Sequence, residues 1–390
     1  MRLLVAAWLL AGCWAPLARA DEPAVIPIVY LALPRHPDQP KTALNPLPTD
    51  EGVQGARLGI VDDQTTGAFT NQRFELKEQI VANADAAVAA AKDALAAGQR
   101  VFVTDLPAAV LDRVADVDKG AVFLDASSEA DALRGADCRA NVLHLLPSRA
   151  MRADALMQYL AVKRWRDLFL VTGPTDEDKA FGEALRRSAK KFQLRLVADK
   201  PWTFKPGAQR TDTGHVSIGA EAARFTQGVS YDVLVVADEN DDFGDDLAFR
   251  TTDPRPVAGT QGMVPTAWAD SFEQWGATQL QLRFRKQANR PMTVVDYGAW
   301  MAVRAVGEAS SRGGADPAAL IAYLHDKKFE LAAFKGSRLS FRAWDGQLRQ
   351  PVLLADTRSL ISVSPQPGYL HQFSELDTLG IDQPETTCHP

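Results

Sequence analysis

The chain has 390 residues, 46% of them hydrophobic and 24% charged, an ordinary globular balance and long enough for two substantial domains. Its formal charge of −6 argues against nucleic acid as the main partner. No G-x-S-x-G, H-E-x-x-H, P-loop or strand-following G-x-G-x-x-G occurs, which points away from an enzyme.

Arg2, the apolar run Leu3 to Leu10 and the small-x-small triplet Ala18-Arg19-Ala20 read as a secretory signal peptide over residues 1–20. A competing reading is a lipobox, Leu10-Ala11-Gly12-Cys13, with Cys13 as a lipid anchor. No later segment approaches the ~20 apolar residues of a membrane span. From residue 25 the chain alternates β-branched runs with alanine-rich helical stretches. Strands are expected at 25–33, 74–81, 100–106, 121–127 and 141–147, with helices at 51–64, 84–98 and 108–117 between them. The alternation resumes with a helix at 149–164, a strand at 167–173, a helix at 176–192, a strand at 194–200, a helix near 213–226 and a strand at 231–238. Three helical stretches follow, beginning at Trp268, Val294 and Asp316. Residues 337–366 alternate around Asp345-Gly346, a hairpin signal. The pattern implies two α/β lobes, each a parallel sheet flanked by helices, and a β-rich tail.

Past the signal only Cys138 and Cys388 remain, and in an exported chain an even pair reads as one disulfide tying the tail to the middle. Two free thiols are the alternative. A zinc site is not expected, because Cys388-His389 lacks a second close pair. The proline-rich segment "PRHPDQPKTALNPLP" is long for a connection after a first strand, and reads as a flap over a cleft or a surface insertion. His144 lies inside an apolar strand and reads as a core histidine.

The string "DLFLVTGPTDEDKAFGEALRRSAKKFQLRLV" resembles the second-lobe core of periplasmic binding proteins of the leucine/branched-chain amino acid type, with Phe181-Gly182 as the aromatic-glycine pair. "CRANVLHLLPSRAMRADALMQYL" resembles the crossover into that lobe, and "FKGSRLSFRAWDGQL" the C-terminal hairpin. "FEQWGATQLQLRF", "MTVVDYGAWMAVRAVGEA" and "VAGTQGMVPTAW" are similar to the branch that accompanies alcohol dehydrogenases dependent on pyrroloquinoline quinone. The resemblance implies a monomeric periplasmic solute-binding component of an ABC transporter, with a permease in the inner membrane as partner. It implies two lobes joined by three crossovers, residues 21–147 with 262–335 and residues 148–261 with 336–390. The ligand would be a small anionic aromatic molecule, for which pyrroloquinoline quinone is the best guess; it enters as ligand, and no cofactor is required. An amino acid or an alcohol-derived carboxylate is the alternative ligand, and a sensory subunit the alternative role. The family's hydroxyl-rich first-lobe turn is replaced by Asp105-Leu106-Pro107, which puts an ordinary amino-acid ligand in doubt.

Candidate ligand contacts follow from chemistry and placement. Arg149 and Arg152 fall in the first turn of a helix capped by Ser148, an end where the helix dipole disfavours cations, so an anion clamp is one reading and pairing with distant acids the other. Ser127 and Ser128 would bond a ligand or cap their turn. Thr104 and Asp105 end a first-lobe strand, and Thr175, an N-cap before Asp176, opens a second-lobe helix. Trp268 is a stacking candidate for a flat ligand, Trp275 seven residues on is expected in the core, and Tyr297 is a cleft candidate otherwise read as core. The acidic loop "ADENDDFGDD" is expected to be solvated, since its spacing does not match an EF-hand.

Overall fold

The computed structural model describes residues 22–34, 48–203, 210–211, 214–215 and 218–389. The signal-peptide segment, Cys13 and most of the proline-rich segment lie outside the described residues.

The first lobe opens with β1 (Ala24–Ala32), α1 (Val53–Thr70), β2 (Gln72–Ile80), α2 (Ala84–Ala96), β3 (Val101–Asp105), α3 (Ala108–Ala115), β4 (Val122–Asp125) and β5 (Val142–His144). The strands form a parallel sheet in the order β2-β1-β3-β4-β5. The second lobe contributes α4 (Arg149–Lys163), β6 (Asp167–Thr172), α5 (Asp176–Lys191) and β7 (Arg195–Pro201). The short pair β8 (Arg210–Thr211) and β9 (Gly214–His215) follows, then α6 (Ile218–Thr226), β10 (Val233–Ala237), α7 (Gly244–Arg250) and β11 (Val257–Gly259). Its parallel sheet runs β11-β10-β6-β7. The chain then returns through β12 (Val264–Thr266), α8 (Ala277–Ala288), α9 (Val294–Gly313) and α10 (Pro317–Leu324). It ends in β13 (Leu331–Ala332), β14 (Arg338–Phe341), β15 (Leu348–Arg349), β16 (Val352–Ala355) and β17 (Leu360–Ser364).

The central strands of each sheet are buried on both faces, which is why β3, β4 and β10 are near-continuous apolar runs, while the edge strands β2 and β7 carry charged residues and are partly exposed. In lobe 1, Ile28, Tyr30, Val103 and Leu124 pack against α9, while Val29, Phe102 and Phe123 pack against the α2 and α3 side. In lobe 2, Leu168, Leu170 and Val235 face α4 and α5, while Phe169, Val171 and Val236 meet Trp202 and Phe243. Helix α9 starts in a capping box, in which Thr293 Oγ1 accepts from the Asp296 N–H and Asp296 accepts from the Thr293 N–H. The same Asp296 carboxylate accepts from the Gly52 N–H and pairs with Arg290, tying α1 to α9.

The tail differs from the expected lobe boundary at 336. Leu339 of β14 and Leu348 of β15 belong to the lobe 1 core, and only from β16 does the chain serve both lobes, with Leu353 in the first core and Val352 and Leu354 in the second. Strands β14 and β15 form the hairpin around Asp345-Gly346, and β12-β16-β17 form a small antiparallel sheet beside α4. Cys138 is bonded to Cys388, closing a separation of 250 residues. Among the described residues no helix is long and apolar enough to cross a membrane.

Candidate functional site

Open parallel sheets place their ligand loops beyond the carboxyl ends of the strands. Both lobes obey this here. A cavity of about 720 Å³ lies between them, walled by Asp105 at the end of β3, Ser127, Ser128 and Glu129 after β4, Asp176 and Glu177 at the start of α5, and Glu239 after β10. Arg149 and Arg152 of α4 line it beside the first crossover.

The amino end of α4 is already satisfied from within the protein. Ser148 Oγ accepts from the Met151 N–H at 3.3 Å, Asp131 Oδ1 accepts from the Ala150 N–H at 3.0 Å, and the Glu129 carbonyl accepts from the Arg149 N–H at 3.0 Å. A first-lobe acid therefore occupies the place where a ligand anion was expected. The arginines are engaged as well. Arg152 donates to Glu129 from lobe 1 and to Glu239 from lobe 2, the latter at 3.0 Å, and its Nε bonds the Pro265 carbonyl at 3.0 Å. Its guanidinium lies 4.7 Å from the centre of the Phe181 ring. Burial opposes the Arg152 charge, but Glu129 and Glu239 more than offset it and hold its pKa above the ordinary arginine value. Burial pushes Glu129 up, against the pull of Arg152. Arg149 reaches Glu239 at 3.5 Å through Nη2, while its Nε is buried with no hydrogen-bond partner.

The sequence singled out neither glutamate. Both pairs link residues far apart in the chain, and only the "ADENDDFGDD" string hinted at a charge sink. In that loop Asp238 is buried and accepts from the Phe243 and Gly244 N–H groups at 2.8 and 2.7 Å, so it caps α7, and only Glu239 turns to the arginines. Asp178 positions Glu239 by accepting its N–H at 2.6 Å. No group of three or more potential metal ligands occurs among the described residues.

The other candidates divide. Asp105, Ser127 and Ser128 line the cavity; Asp105 also accepts from the Tyr30 hydroxyl at 3.3 Å, and the Ser128 N–H donates to Asp125 at 2.9 Å. Thr104, Thr175, Trp268 and Tyr297 do not line it. Thr104 is fully buried with its hydroxyl on the Leu124 carbonyl. Thr175 is spent in the capping box of α5 with Asp178. Trp268 stacks on Tyr297 with ring centroids 4.4 Å apart, and the Tyr297 hydroxyl donates to the Ala333 carbonyl at 2.6 Å, so both belong to the lobe 1 core. Trp275, expected in that core, is 65% exposed instead. The seven-residue spacing assumed one continuous helix, but α8 begins only at Ala277 and Trp275 has φ 57°. His144 is a core histidine, bonded to Asp125 and the Leu133 carbonyl, with burial pushing its pKa down.

No family model and no curated protein sequence matches this chain. Solved structures do. A periplasmic binding protein from Burkholderia mallei superposes with a TM-score of 0.65 at 15% identity, over 94% of this chain and 98% of its own. An ABC transporter substrate-binding protein from Desulfitobacterium hafniense in complex with Leu gives 0.67 at 16%, over 87% and 100%. A solute-binding protein of an ABC transporter from R. palustris in complex with benzoate gives 0.65 at 12%, over 93% and 99%. With two parallel α/β lobes and a cavity at the strand ends of both, this chain has the two-lobed fold of the type I periplasmic binding proteins.

Proposed function

We propose that the protein is the periplasmic solute-binding component of an ABC uptake system, and that its lobes close on a small carboxylate in the interlobe cavity. The observation that carries this reading is Arg149, on the wall of a cavity of ligand size, with a buried Nε that has no partner. A buried guanidinium N–H without an acceptor is costly, and a ligand carboxylate there would satisfy it. Closure around the ligand would then shift a hinge equilibrium that the permease reads.

The charge balance narrows the ligand. Asp105, Glu129, Asp176, Glu177 and Glu239 line the cavity against Arg149 and Arg152. Acids in excess oppose a trianion, which weighs against pyrroloquinoline quinone with its three carboxylates. They suit a zwitterion, whose ammonium group faces the acids while its carboxylate meets Arg149. An amino acid is therefore the favoured class, and the benzoate complex of one structural neighbour makes a simple aromatic carboxylate the natural comparison.

Titration calorimetry of the chain with leucine, benzoate and pyrroloquinoline quinone tests this. Saturable one-to-one binding of leucine, weakened about tenfold in Arg149→Ala, is expected; tenfold corresponds to about 1.4 kcal/mol. Binding of the quinone alone would reverse the ligand assignment. Binding that ignores Arg149→Ala would remove that arginine from the site.

A further inference from the structure

A second cavity, of about 730 Å³, shares no lining residue with the cleft. It lies between α1, α8, α9 and the β13–β14 connection, and three aromatic rings and three arginines line it: Trp275, Trp300, Phe334, Arg283, Arg304 and Arg338. Trp275 and Phe334 have φ of 57° and 56°, in the left-handed region that a bulky L residue avoids. Neither sits at a helix C-terminus, where such values are common. The two loops hold each other there. A Cβ on Gly276 would come within 3.0 Å of the Phe334 ring, and a Cβ on Gly336 within 2.7 Å of the Trp275 ring, so each aromatic lies on a glycine one or two residues from its counterpart. Strained residues of this kind persist where the surroundings over-determine them, and they gather at ligand clamps. The result is an indole that is 65% exposed although it is fixed in place.

The cavity lining carries Arg283, Arg304, Arg338 and Lys335 against one carboxylate, Asp62. Arg283 pairs with Asp62, Arg304 with Asp63, and Arg338 with Glu330 at 3.4 Å. A guanidinium has five N–H donors and one carboxylate takes two at most, so each arginine keeps donors for a ligand. The Arg283 and Arg338 side chains are partly exposed. An exposed, immobile ring beside cations favours a flat anion, which gains stacking area and charge-assisted hydrogen bonds together.

We propose that this groove is a second ligand site, separate from the interlobe cleft, and that it takes a planar aromatic carboxylate with its ring on Trp275 and its charge on Arg283 and Arg338. The proposal is independent of what the cleft binds. The test titrates the chain with 2-naphthoate, followed by tryptophan fluorescence and by equilibrium dialysis, with uncharged naphthalene-2-methanol as comparison. Trp275→Gly removes the ring and also relieves the positive φ, so the fold is expected to survive. Arg338→Gln removes one exposed charge and gives a second reading should the first variant fold poorly. Expected are saturable binding of 2-naphthoate, about tenfold weaker in Trp275→Gly and about threefold weaker in Arg338→Gln, with the alcohol at least tenfold weaker than the acid. Arg149→Ala distinguishes the cavities, because it changes cleft binding alone. Absence of saturable binding, binding unchanged in both groove variants, equal binding of the alcohol, or binding lost only in Arg149→Ala would each overturn the proposal.

Discussion

Arg152 in the cleft and Arg342 in the tail are both nearly buried, 8% and 2% exposed, and each sits between carboxylates. The acids around Arg342 come from the tail itself, one from its own hairpin and one from a turn near the end of the chain. Asp377 lies at 2.9 Å and Asp345 at 3.7 Å, and the Leu376 and Leu379 carbonyls accept from its Nη2. Arg342 thus holds residues 376–381, whose Leu379 packs in the lobe 2 core, by one carboxylate and three main-chain carbonyls at once. The acids around Arg152 come from different lobes, Glu129 from the first and Glu239 from the second, and hinge opening would separate them and return them to water. One chemistry thus serves as a fixed staple in the tail and as a releasable contact in the cleft. The cost of removing the arginine should differ accordingly.

The largest effect is expected in the tail. Arg342→Met leaves Asp377 buried beside Arg349 alone, and removing one partner of a buried ion pair costs about 3–5 kcal/mol. Urea unfolding would show a lower midpoint; a midpoint within error of the unmodified chain would end the distinction between the two clusters. Next comes the disulfide that anchors the same tail. Cys138→Ser with Cys388→Ser is expected to lose about 2–4 kcal/mol, because the bond closes so long a loop, and the unmodified chain should lose the same amount in reductant.

The sheets, most helices and the pairing of two cysteines were legible because they rest on local or countable signals. Two-faced apolar strands, alanine-rich helices and the Ser148 cap are written in contiguous residues. The partners of the two cleft arginines were not, because Glu129 and Glu239 stand 23 and 87 residues from Arg152 and only the fold brings them in. Helical periodicity misplaced Trp275 for a related reason. Residues 268–273 form no helix, Trp275 and Gly276 are both left-handed, and nothing in the spacing of Trp268 and Trp275 reveals that α8 starts only at Ala277. Trp268 reads equally well as a ligand contact or as core and Tyr297 more readily as core, and their packing against each other decides for core.

A pH-dependent effect is expected at a third buried pair, behind the lobe 1 sheet. Burial raises the Asp63 carboxyl to about 7, despite the adjoining Arg304, and its Oδ2 has no hydrogen-bond partner. The folded chain therefore binds this proton more tightly than the unfolded chain, whose carboxyl titrates near 3.8. The stabilisation is complete below that value and is lost as pH rises toward about 7, at up to about 1.4 kcal/mol per pH unit. Asp63→Asn should flatten this part of the stability–pH curve, measured by urea midpoints at successive pH values. An unchanged slope would assign it to other carboxyls.

The smallest stability change, and the one that bears on function, is expected at Arg152. Arg152→Met frees Glu129 and Glu239, which repel each other across the cleft. In the tail that repulsion would be trapped, whereas here the proposed hinge would let the lobes part and water screen it. The cost should therefore fall to about 1 kcal/mol, the range of a solvated pair, while the hinge equilibrium shifts toward open. Small-angle scattering should then report a larger radius of gyration for Arg152→Met than for the unmodified chain, and no such increase for Arg342→Met at a urea concentration where both remain folded. Equal radii would mean that the arginine does not hold the lobes together, and the cleft cluster would then be a staple like the one in the tail.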